Sequence, residues 1–312
     1  MYKEIADAIR EANSIVIVGH IRPDGDCYGA QMGLKDAILT NFPEKEVYVV
    51  GTGMPIFFDY IGKMDEVSDE VIKNSLGIIV DLNELYRCED QRVPNTAKKL
   101  IQIDHHVKMF DFDFPTLIDE GACSTCEIIA NLLEHEKWEL SSVGANALYL
   151  GLLTDSAHFE YVDNFPRVFK IAGHLCAHGA KPEIINQILS ATSERFVRLK
   201  GYALTHYKKN GGVIYLHLKD KELKRLGIKN SYGTAIVNSL GNIKGLPIWM
   251  TLLEDENRTC IIEFRSNTYN VCNTAMKYGG GGHTMAAGVT IRNFNEDILA
   301  QLIKDLNEVI KE

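Results

Sequence analysis

Four short runs of aliphatic, largely β-branched residues, each ending in polar residues, constrain what this chain can fold into. They are residues 14–19 (SIVIVG), 46–51 (EVYVVG), 76–82 (LGIIVDL) and 99–106 (KLIQIDHH). Runs of this kind are typical of buried strands. Helical patterns follow the first run (GAQMGLKDAIL) and recur at residues 124–136, 143–156 and 166–178. Strands that alternate with helices predict an α/β fold, a mostly parallel sheet with helices on both faces.

Polar side chains stand where the predicted elements end. They are His20, Asp24 and Asp26 after the first run, Asp81 after the third, Asp104, His105 and His106 after the fourth, and Asp155 at the end of a helix. Ligands of such sheets bind at the carboxyl ends of the strands, so we expect these side chains to converge. Crowded carboxylates repel one another, and their burial is costly unless a cation holds them. The pattern therefore predicts two divalent metal ions, with Mn²⁺ as the best match to histidine and carboxylate ligands and Co²⁺ or Fe²⁺ as alternatives.

Length and charge limit the classes of partner. At 312 residues the chain has material for about two domains. A formal net charge of −9 argues against a grip on long duplex DNA, although a metal site can still attract short anionic substrates. No apolar run reaches the roughly 20 residues of a membrane span, and the first 14 residues form an amphipathic pattern rather than a signal peptide. We therefore expect a cytoplasmic protein without a membrane partner.

The seven cysteines are expected to be reduced in such a compartment. Two of them lie in the segment CSTC at 123–126, and no second CxxC follows that could complete a zinc site. Ser124 and Glu127 instead have the spacing of a capping box, which predicts the start of a helix.

The second half of the chain has its own pattern. Residues 191–210 predict a helix, and 212–218, 247–255 and 258–266 predict strands, the last two joined by a hairpin at DENR. Four glycines at 279–282 precede His283 and a run of small residues, which favours a helix start over a flexible loop. Backbone N–H groups at such a helix start form an anion site, and glycine permits close approach.

Taken together, these motifs resemble the DHH phosphoesterase superfamily. HIRPDGD at 20–26, VD at 80–81, DHH at 104–106 and TDS at 154–156 are similar to its four metal motifs, in the same order. EFRS at 263–266 and GGGGHTMAAG at 279–288 resemble the arginine motif and glycine signature of the DHH-associated C-terminal domain. The resemblance spans nearly the whole chain. It implies a catalytic DHH domain (1–190), a helical linker (191–210) and a substrate-binding domain (211–312).

The resemblance also implies a role for individual residues. His20 and Asp24 would bind one metal ion, Asp26, His105 and Asp155 the other, and Asp81 both. His106 would face the substrate phosphate, and Asp104 would orient the histidines. The substrate would be held by Arg265, Gly280, Gly281, Gly282 and His283. His158, an unusual residue at its position, either touches the substrate or caps the preceding helix.

The members of the superfamily that this chain resembles most hydrolyse short oligoribonucleotides and remove the 3′-phosphate of pAp. The resemblance therefore implies a metal-dependent phosphoesterase that takes short single-stranded oligonucleotides or nucleotide bisphosphates. It is also compatible with a homodimer. An enzyme that cleaves pApA in cyclic di-AMP turnover is the main alternative. An inorganic pyrophosphatase fits less well because that class lacks a GGGGH run. A non-enzymatic nucleotide sensor fits less well because none of the predicted metal ligands is missing.

Overall fold

The computed structural model describes residues 2–227 and 236–311. The chain divides into two compact units, Met1–Ala191 and Thr192–Glu312. The seven cysteines are free thiols in this structure. Within the described ranges, none of the helices combines the length and the apolar composition needed to cross a bilayer.

The first unit contains a parallel five-stranded sheet. Its elements in chain order are α1 (Tyr2–Glu11), β1 (Ser14–Val18), α2 (Gly25–Asn41), β2 (Glu46–Val50), α3 (Asp69–Asn74), β3 (Leu76–Val80), α4 (Arg92–Thr96), β4 (Lys99–Asp104), β5 (Thr116–Ile118), α5 (Thr125–Glu136), α6 (Ser142–Asp155), α7 (Phe165–Ala177) and α8 (Pro182–Ser190). The strand order is β2-β1-β3-β4-β5, and every pairing is parallel. The four predicted strands and the α/β fold class are therefore confirmed.

Both faces of this sheet are covered, which is why its strands are apolar throughout. Along β1, Ile15 and Ile17 belong to a core with α1, α2 and α5 to α8, whereas Val16 and Val18 belong to a core with α3 and α4. Alternate side chains of a strand point to opposite faces, so a strand buried on both sides reads as a continuous apolar run.

The second unit contains a mixed six-stranded sheet. Its elements are α9 (Glu194–His206), β6 (Lys208–Asn210), β7 (Val213–Lys219), α10 (Asp220–Leu226), β8 (Ile248–Glu254), β9 (Cys260–Ser266), α11 (Cys272–Lys277), β10 (Gly281–His283), β11 (Ala286–Ile291) and α12 (Glu296–Val309). The strand order is β10-β11-β9-β8-β7-β6, with only the β7–β8 pairing parallel among the described strands. Helix α9 packs through Leu199 and Ala203 into a core of this unit.

The helix predicted after the glycine run is wrong. Gly281–His283 forms edge strand β10, and a tight turn leads into β11, which begins at Ala286. Small residues carry little local preference, so pairing with β9, which is distant in sequence, determines their conformation. Two of the glycines are required by this geometry: a Cβ on Gly280 would lie 2.2 Å from the carbonyl oxygen of Gly288, and Gly282 has a φ of +140°.

Candidate metal centre

Side chains from five elements meet at the carboxyl edge of the first sheet. They follow β1 and β3, lie at the end of β4, and belong to the start of α2 and the end of α6. As predicted from the sequence, the structure brings together His20, Asp24, Asp26, Asp81, Asp104, His105, His106 and Asp155. We call this group the histidine–aspartate cluster.

Asp81 lies in the middle of the cluster. Its Oδ2 is 3.5 Å from Nε2 of His20, and its Oδ1 is 3.6 Å from Nε2 of His105 and 3.8 Å from Nδ1 of His106. The Asp81 backbone is left-handed, with a φ of +59°, a conformation that aspartate adopts more readily than most residues. One buried carboxylate therefore faces histidines on two sides.

The remaining carboxylates divide between those two sides. Oδ1 of Asp24 is 3.8 Å from Nε2 of His20. On the other side, Nε2 of His105 is 3.2 Å from Oδ2 of Asp155 and 4.0 Å from Oδ2 of Asp26. This division is compatible with the two ligand sets implied by the sequence, with Asp81 between them.

Each of the three histidines has its Nδ1 atom within reach of an oxygen. Because a carbonyl or carboxylate oxygen only accepts, Nδ1 carries a proton in each ring, and in the neutral rings of His20 and His105 Nε2 keeps its lone pair for a metal ion. The pairs are His20 with the carbonyl of Ile21 at 2.9 Å, His105 with the carbonyl of Ala122 at 3.4 Å, and His106 with Oδ1 of Asp104 at 2.7 Å.

The carboxylates of the cluster are held close together in a buried place. Burial raises the pKa of Asp81 to about 6, although its hydrogen bond to His20 acts in the opposite direction. Burial and the charge of Asp81 raise the pKa of Asp26 to about 7. Burial and the charge of Asp26 raise the pKa of Asp155 to about 7. In the described part of the chain, no lysine or arginine forms an ion pair with these three side chains.

This donor set fits divalent cations. The Nε2 lone pairs of His20 and His105 and four carboxylates surround one small volume, and a cation there would remove the repulsion that raises the aspartate pKa values. Oxygen and imidazole ligands without a thiolate suit Mn²⁺ and similar ions. Cys27 also lies near His20 and Asp81, but burial raises the pKa of its thiol to about 12. Its Sγ accepts a hydrogen bond from the backbone N–H of His20 at 3.3 Å.

The segment CSTC contacts the cluster, a contact that was not predicted from the sequence. The backbone N–H groups of Thr125 and Cys126 donate to Oδ2 and Oδ1 of Asp26 at 2.7 and 2.9 Å. The hydroxyl of Thr125 donates to Oδ1 of Asp81 at 3.0 Å. A capping box marks the start of a helix, and the unpaired N–H groups there attract carboxylates. The capping-box spacing in the sequence therefore indicated a possible partner for the aspartates.

The capping box itself is only half confirmed. Oγ of Ser124 accepts a hydrogen bond from the N–H of Glu127 at 3.0 Å, as predicted. The carboxylate of Glu127 instead accepts from the N–H of Cys123 at 2.7 Å and pairs with Arg167. A partner from α7 thus draws the glutamate away from the N-cap residue.

His158 follows the cluster in an unusual stretch of backbone. Ala157, His158 and Phe159 have consecutive positive φ values of 47°, 60° and 66°. The backbone N–H of His158 donates to the carbonyl of Leu153 at 2.7 Å and closes the end of α6, while the His158 side chain is exposed. The backbone of His158, rather than its imidazole, therefore satisfies the helix end.

The predicted substrate-binding residues lie together on the second unit. Ala286 in β11 is directly opposite Arg265 in β9 and also directly opposite His283 in β10, so these three residues share one face of the sheet. Gly281, Gly288 and Glu263 form the next row on that face. We call this surface, formed by Arg265, Gly281, His283, Ala286 and Gly288, the glycine face.

The glycine face consists mainly of small residues, with the charged side chains of Arg265 and Glu263 beside them. Ala286 alone separates Arg265 from the exposed His283 in the row that they share. Nη1 of Arg265 is 3.2 Å from Oε2 of Glu263 and donates to the carbonyl of Phe264 at 2.7 Å. Gly280 and Gly282 are required by the backbone geometry of the strand pair. A Cβ on Gly281, in contrast, would meet no atom within 4 Å.

Comparison with known proteins places the chain in a family. Residues 14–152 match the N-terminal domain of the DHH family, and residues 210–312 match the DHHA1 domain. The chain is 36% identical over 309 residues to the bifunctional oligoribonuclease and PAP phosphatase NrnA of Mycoplasma genitalium, with 97% of each chain covered. It is 30% identical over 317 residues to the protein of that name from Bacillus subtilis, with 100% of this chain and 99% of the relative covered.

A solved structure supports the same conclusion. The fold matches that of an exopolyphosphatase-related protein from Bacteroides fragilis with a TM-score of 0.85 and 25% identity, over 100% of this chain and 97% of that one. The chain therefore belongs to the DHH phosphoesterase family.

Proposed function

We propose that this protein hydrolyses short oligonucleotides to mononucleotides and removes the 3′-phosphate of pAp, with two Mn²⁺ ions as cofactors. The observation that carries the proposal is the histidine–aspartate cluster, in which one buried carboxylate, Asp81, lies between two sets of ligands. The names of the relatives from Mycoplasma genitalium and Bacillus subtilis supply the substrate class. We further propose that the enzyme acts in the cytoplasm, that it can form a homodimer, and that long duplex DNA is not among its substrates.

The cluster residues would hold the two ions. His20 and Asp24 would bind one ion, Asp26, His105 and Asp155 the other, and Asp81 both. When bound, such ions lower the pKa of a water molecule and stabilise charge on a phosphoryl group. The hydrogen bonds at Nδ1 orient the histidine rings, so that Nε2 is available without a change of tautomer.

His106 and Asp104 would act on the substrate side. Asp104 is fully buried and holds Nδ1 of His106 at 2.7 Å, while the His106 side chain is 43% exposed. The hydrogen bond to Asp104 raises the pKa of His106 to about 8, so the ring is an imidazolium at neutral pH and its Nε2–H donates to a phosphoryl oxygen. We therefore assign His106 to phosphate contact and Asp104 to the orientation of its ring.

The glycine face would bind the nucleotide. Arginine makes a charge-assisted and often bidentate contact with phosphate, and the small residues beside Arg265 leave room for a ligand to approach the backbone. His283 would stack on a base or donate to a phosphate. We retain as proposals the domain limits 1–190, 191–210 and 211–312, roles in this grip for Gly280 and Gly282, and, on the first unit, a substrate contact by the exposed side chain of His158.

A substrate panel tests the proposed function. Purified protein would be incubated with Mn²⁺ and pAp, pApA, RNA of two to about 24 nucleotides, or pyrophosphate, and the products would be followed over time. We expect release of AMP and phosphate from pAp and of mononucleotides from the shortest RNAs, with slower turnover of longer RNAs. Exclusive cleavage of pApA would favour the cyclic di-AMP alternative. Turnover of pyrophosphate alone, or of nothing in the panel, would refute the proposal.

A further inference from the structure

The tetrapeptide CSTC at 123–126 begins α5, and its residues contact two aspartates that are far away in sequence. Thr125 is fully buried, and no solvent reaches its hydroxyl. That hydroxyl donates to Oδ1 of Asp81, and the N–H of the same residue donates to Oδ2 of Asp26. One residue therefore connects the central carboxylate of the cluster to a carboxylate on the His105 side.

The contacts at Asp26 leave its carboxylate little freedom to turn. Oδ2 accepts from Thr125 and Oδ1 accepts from Cys126, both through backbone N–H groups in the first turn of α5. This helix is 12 residues long, and Ser124 caps it by accepting from the N–H of Glu127. A rigid helix start thus fixes the plane of the carboxylate.

The contact at Asp81 distinguishes its two oxygens. Oδ1 faces Thr125 and His105, whereas Oδ2 faces His20. A carboxylate that rotated about its Cβ–Cγ bond would lose this division. The hydroxyl of Thr125 opposes that rotation, and the left-handed backbone at Asp81 directs the side chain to the place where the hydroxyl can reach it.

We propose that Thr125 is a positioning residue for the metal centre: its hydroxyl and amide fix Asp81 and Asp26 in the orientation that allows Asp81 to be shared by two divalent cations. The inference rests on the proposed two-metal function. It assigns a role to a residue that is neither a ligand nor in contact with substrate. Residues that orient metal ligands typically change metal affinity roughly 10- to 100-fold when they are replaced.

The test is a Mn²⁺ titration of the full chain, in which the electron paramagnetic resonance signal of free Mn²⁺ measures binding. The proteins compared are the wild type, Thr125→Val and Thr125→Ser. Valine keeps the shape of threonine and the backbone N–H but removes the hydroxyl. We expect Thr125→Val to raise at least one Mn²⁺ dissociation constant by roughly 10-fold or more. The dissociation constants of Thr125→Ser should stay within about threefold of those of the wild type.

A second variant separates positioning from helix stability. Ser124→Ala removes the cap of the same helix but neither contact to the aspartates. We expect it to lower the melting temperature of the metal-free protein while leaving the Mn²⁺ dissociation constants within about threefold of the wild type. Equal affinities for Thr125→Val and the wild type would overturn the inference, as would an affinity loss in Ser124→Ala equal to that of Thr125→Val.

The wild type in the same titration distinguishes this inference from the proposed function. A wild type that binds two Mn²⁺ ions and turns over pAp, beside an unaffected Thr125→Val, would refute the positioning role alone. A wild type that binds no Mn²⁺ would refute both.

Discussion

Oδ2 of Asp81 lies 3.5 Å from Nε2 of His20, and the other oxygen of the same carboxylate lies 3.6 Å from Nε2 of His105. Asp155, in contrast, has only His105 among the three histidines within ion-pair distance in the described structure. A carboxylate that faces ligands on both sides of the cluster should contribute more to metal binding than one that faces ligands on a single side.

The first prediction compares these two aspartates. Asp81→Asn keeps the size of the side chain and tolerates the left-handed backbone, yet we expect it to lower turnover by roughly a thousandfold or more and to reduce occupancy of both ions. Asp155→Asn should lower turnover less and reduce occupancy of one ion. Metal analysis of the purified variants, with steady-state kinetics, checks this. An Asp81→Asn enzyme with two ions and normal turnover would contradict the assignment.

Asp81→Asn should stabilise the metal-free protein, although it lowers turnover. Without metal, the buried aspartates repel one another, and removing one charge relieves that repulsion. We therefore expect the metal-free Asp81→Asn protein to melt at a higher temperature than the metal-free wild type in EDTA. Added Mn²⁺ should raise the melting temperature of the wild type more than that of the variant, because a ligand stabilises the state that binds it. A lower melting temperature for the metal-free variant would refute the repulsion argument.

The second prediction concerns metal preference. Imidazole and carboxylate ligands with open positions for water and phosphate suit Mn²⁺, whereas a thiolate-free site gives no advantage to Zn²⁺. After EDTA treatment we expect no turnover of pAp, and Mn²⁺ should restore more activity than Zn²⁺ or Ca²⁺. Full activity in protein shown to be metal-free by elemental analysis would rule out the two-metal mechanism.

The sequence predicted the cluster well because its members stand at the ends of locally recognisable elements. His20, Asp81 and His105 each follow a run whose composition identifies a buried strand, and the rules for parallel sheets bring such ends together. The role of Thr125 was not predictable in this way. Its partner Asp81 is 44 residues distant, and the contact depends on the angle at which α5 meets the sheet.

The glycine run shows a different limit. Gly281 and Ala286 have no side chain, or a very small one, to indicate a buried face, so the strand periodicity is not visible in the sequence. Their conformation follows from the pairing of β11 with β9, which only the folded unit supplies. Arg265 and His283 were nevertheless proposed as substrate-binding residues, because the family motifs contain them.

The third prediction concerns pH and Asp305 in α12. Although burial acts in the opposite direction, Lys277, Tyr278 and Gln301 contact its carboxylate and lower the pKa of Asp305. A carboxyl whose folded-state pKa is lowered stabilises the fold above its ordinary pKa, and this contribution is lost as the pH falls through the folded-state value. Asp305→Asn should therefore cost about 1–3 kcal/mol of unfolding free energy at pH 7 and less near pH 3.

Urea unfolding of the full chain at the two pH values measures this difference. Asp297→Asn, an exposed position on the same helix, is the matched control and should change the unfolding free energy little at either pH. A destabilisation by Asp305→Asn that is equally large at pH 3 and pH 7 would show that its charge is not the cause.

The fourth prediction separates the structural glycines from those available to a ligand. Gly280→Ala places a methyl group 2.2 Å from the carbonyl of Gly288 and should cost about 1–3 kcal/mol of stability. Gly281→Ala meets no atom within 4 Å, so its stability should be near that of the wild type. Its turnover of pAp should still fall, because the methyl group stands on the glycine face beside Arg265 and His283. Thermal melts and kinetics of both variants measure this, and normal kinetics for Gly281→Ala would argue against nucleotide contact there.

The fifth prediction concerns what Arg265 and His283 contribute to catalysis. Both lie on the glycine face, and neither belongs to the histidine–aspartate cluster. Arg265→Ala and His283→Ala should therefore leave Mn²⁺ binding unchanged and lower kcat/KM for pAp and dinucleotides by roughly 10-fold or more, equivalent to about 1.4 kcal/mol or more. Binding energy from a remote part of the substrate also positions the reacting phosphate, so kcat can fall together with affinity.

The choice of substrate shows whether this loss comes from a lost nucleotide contact. Bis-p-nitrophenyl phosphate presents an activated ester but no nucleoside, so both variants should hydrolyse it at close to the wild-type rate. Lys304→Ala removes one exposed positive charge from the same unit and should leave both substrates unaffected, which controls for net charge. If Arg265→Ala and His283→Ala, with normal melting temperatures, lost the same fraction of activity on both substrates, the glycine face would have no specific role in holding the nucleotide.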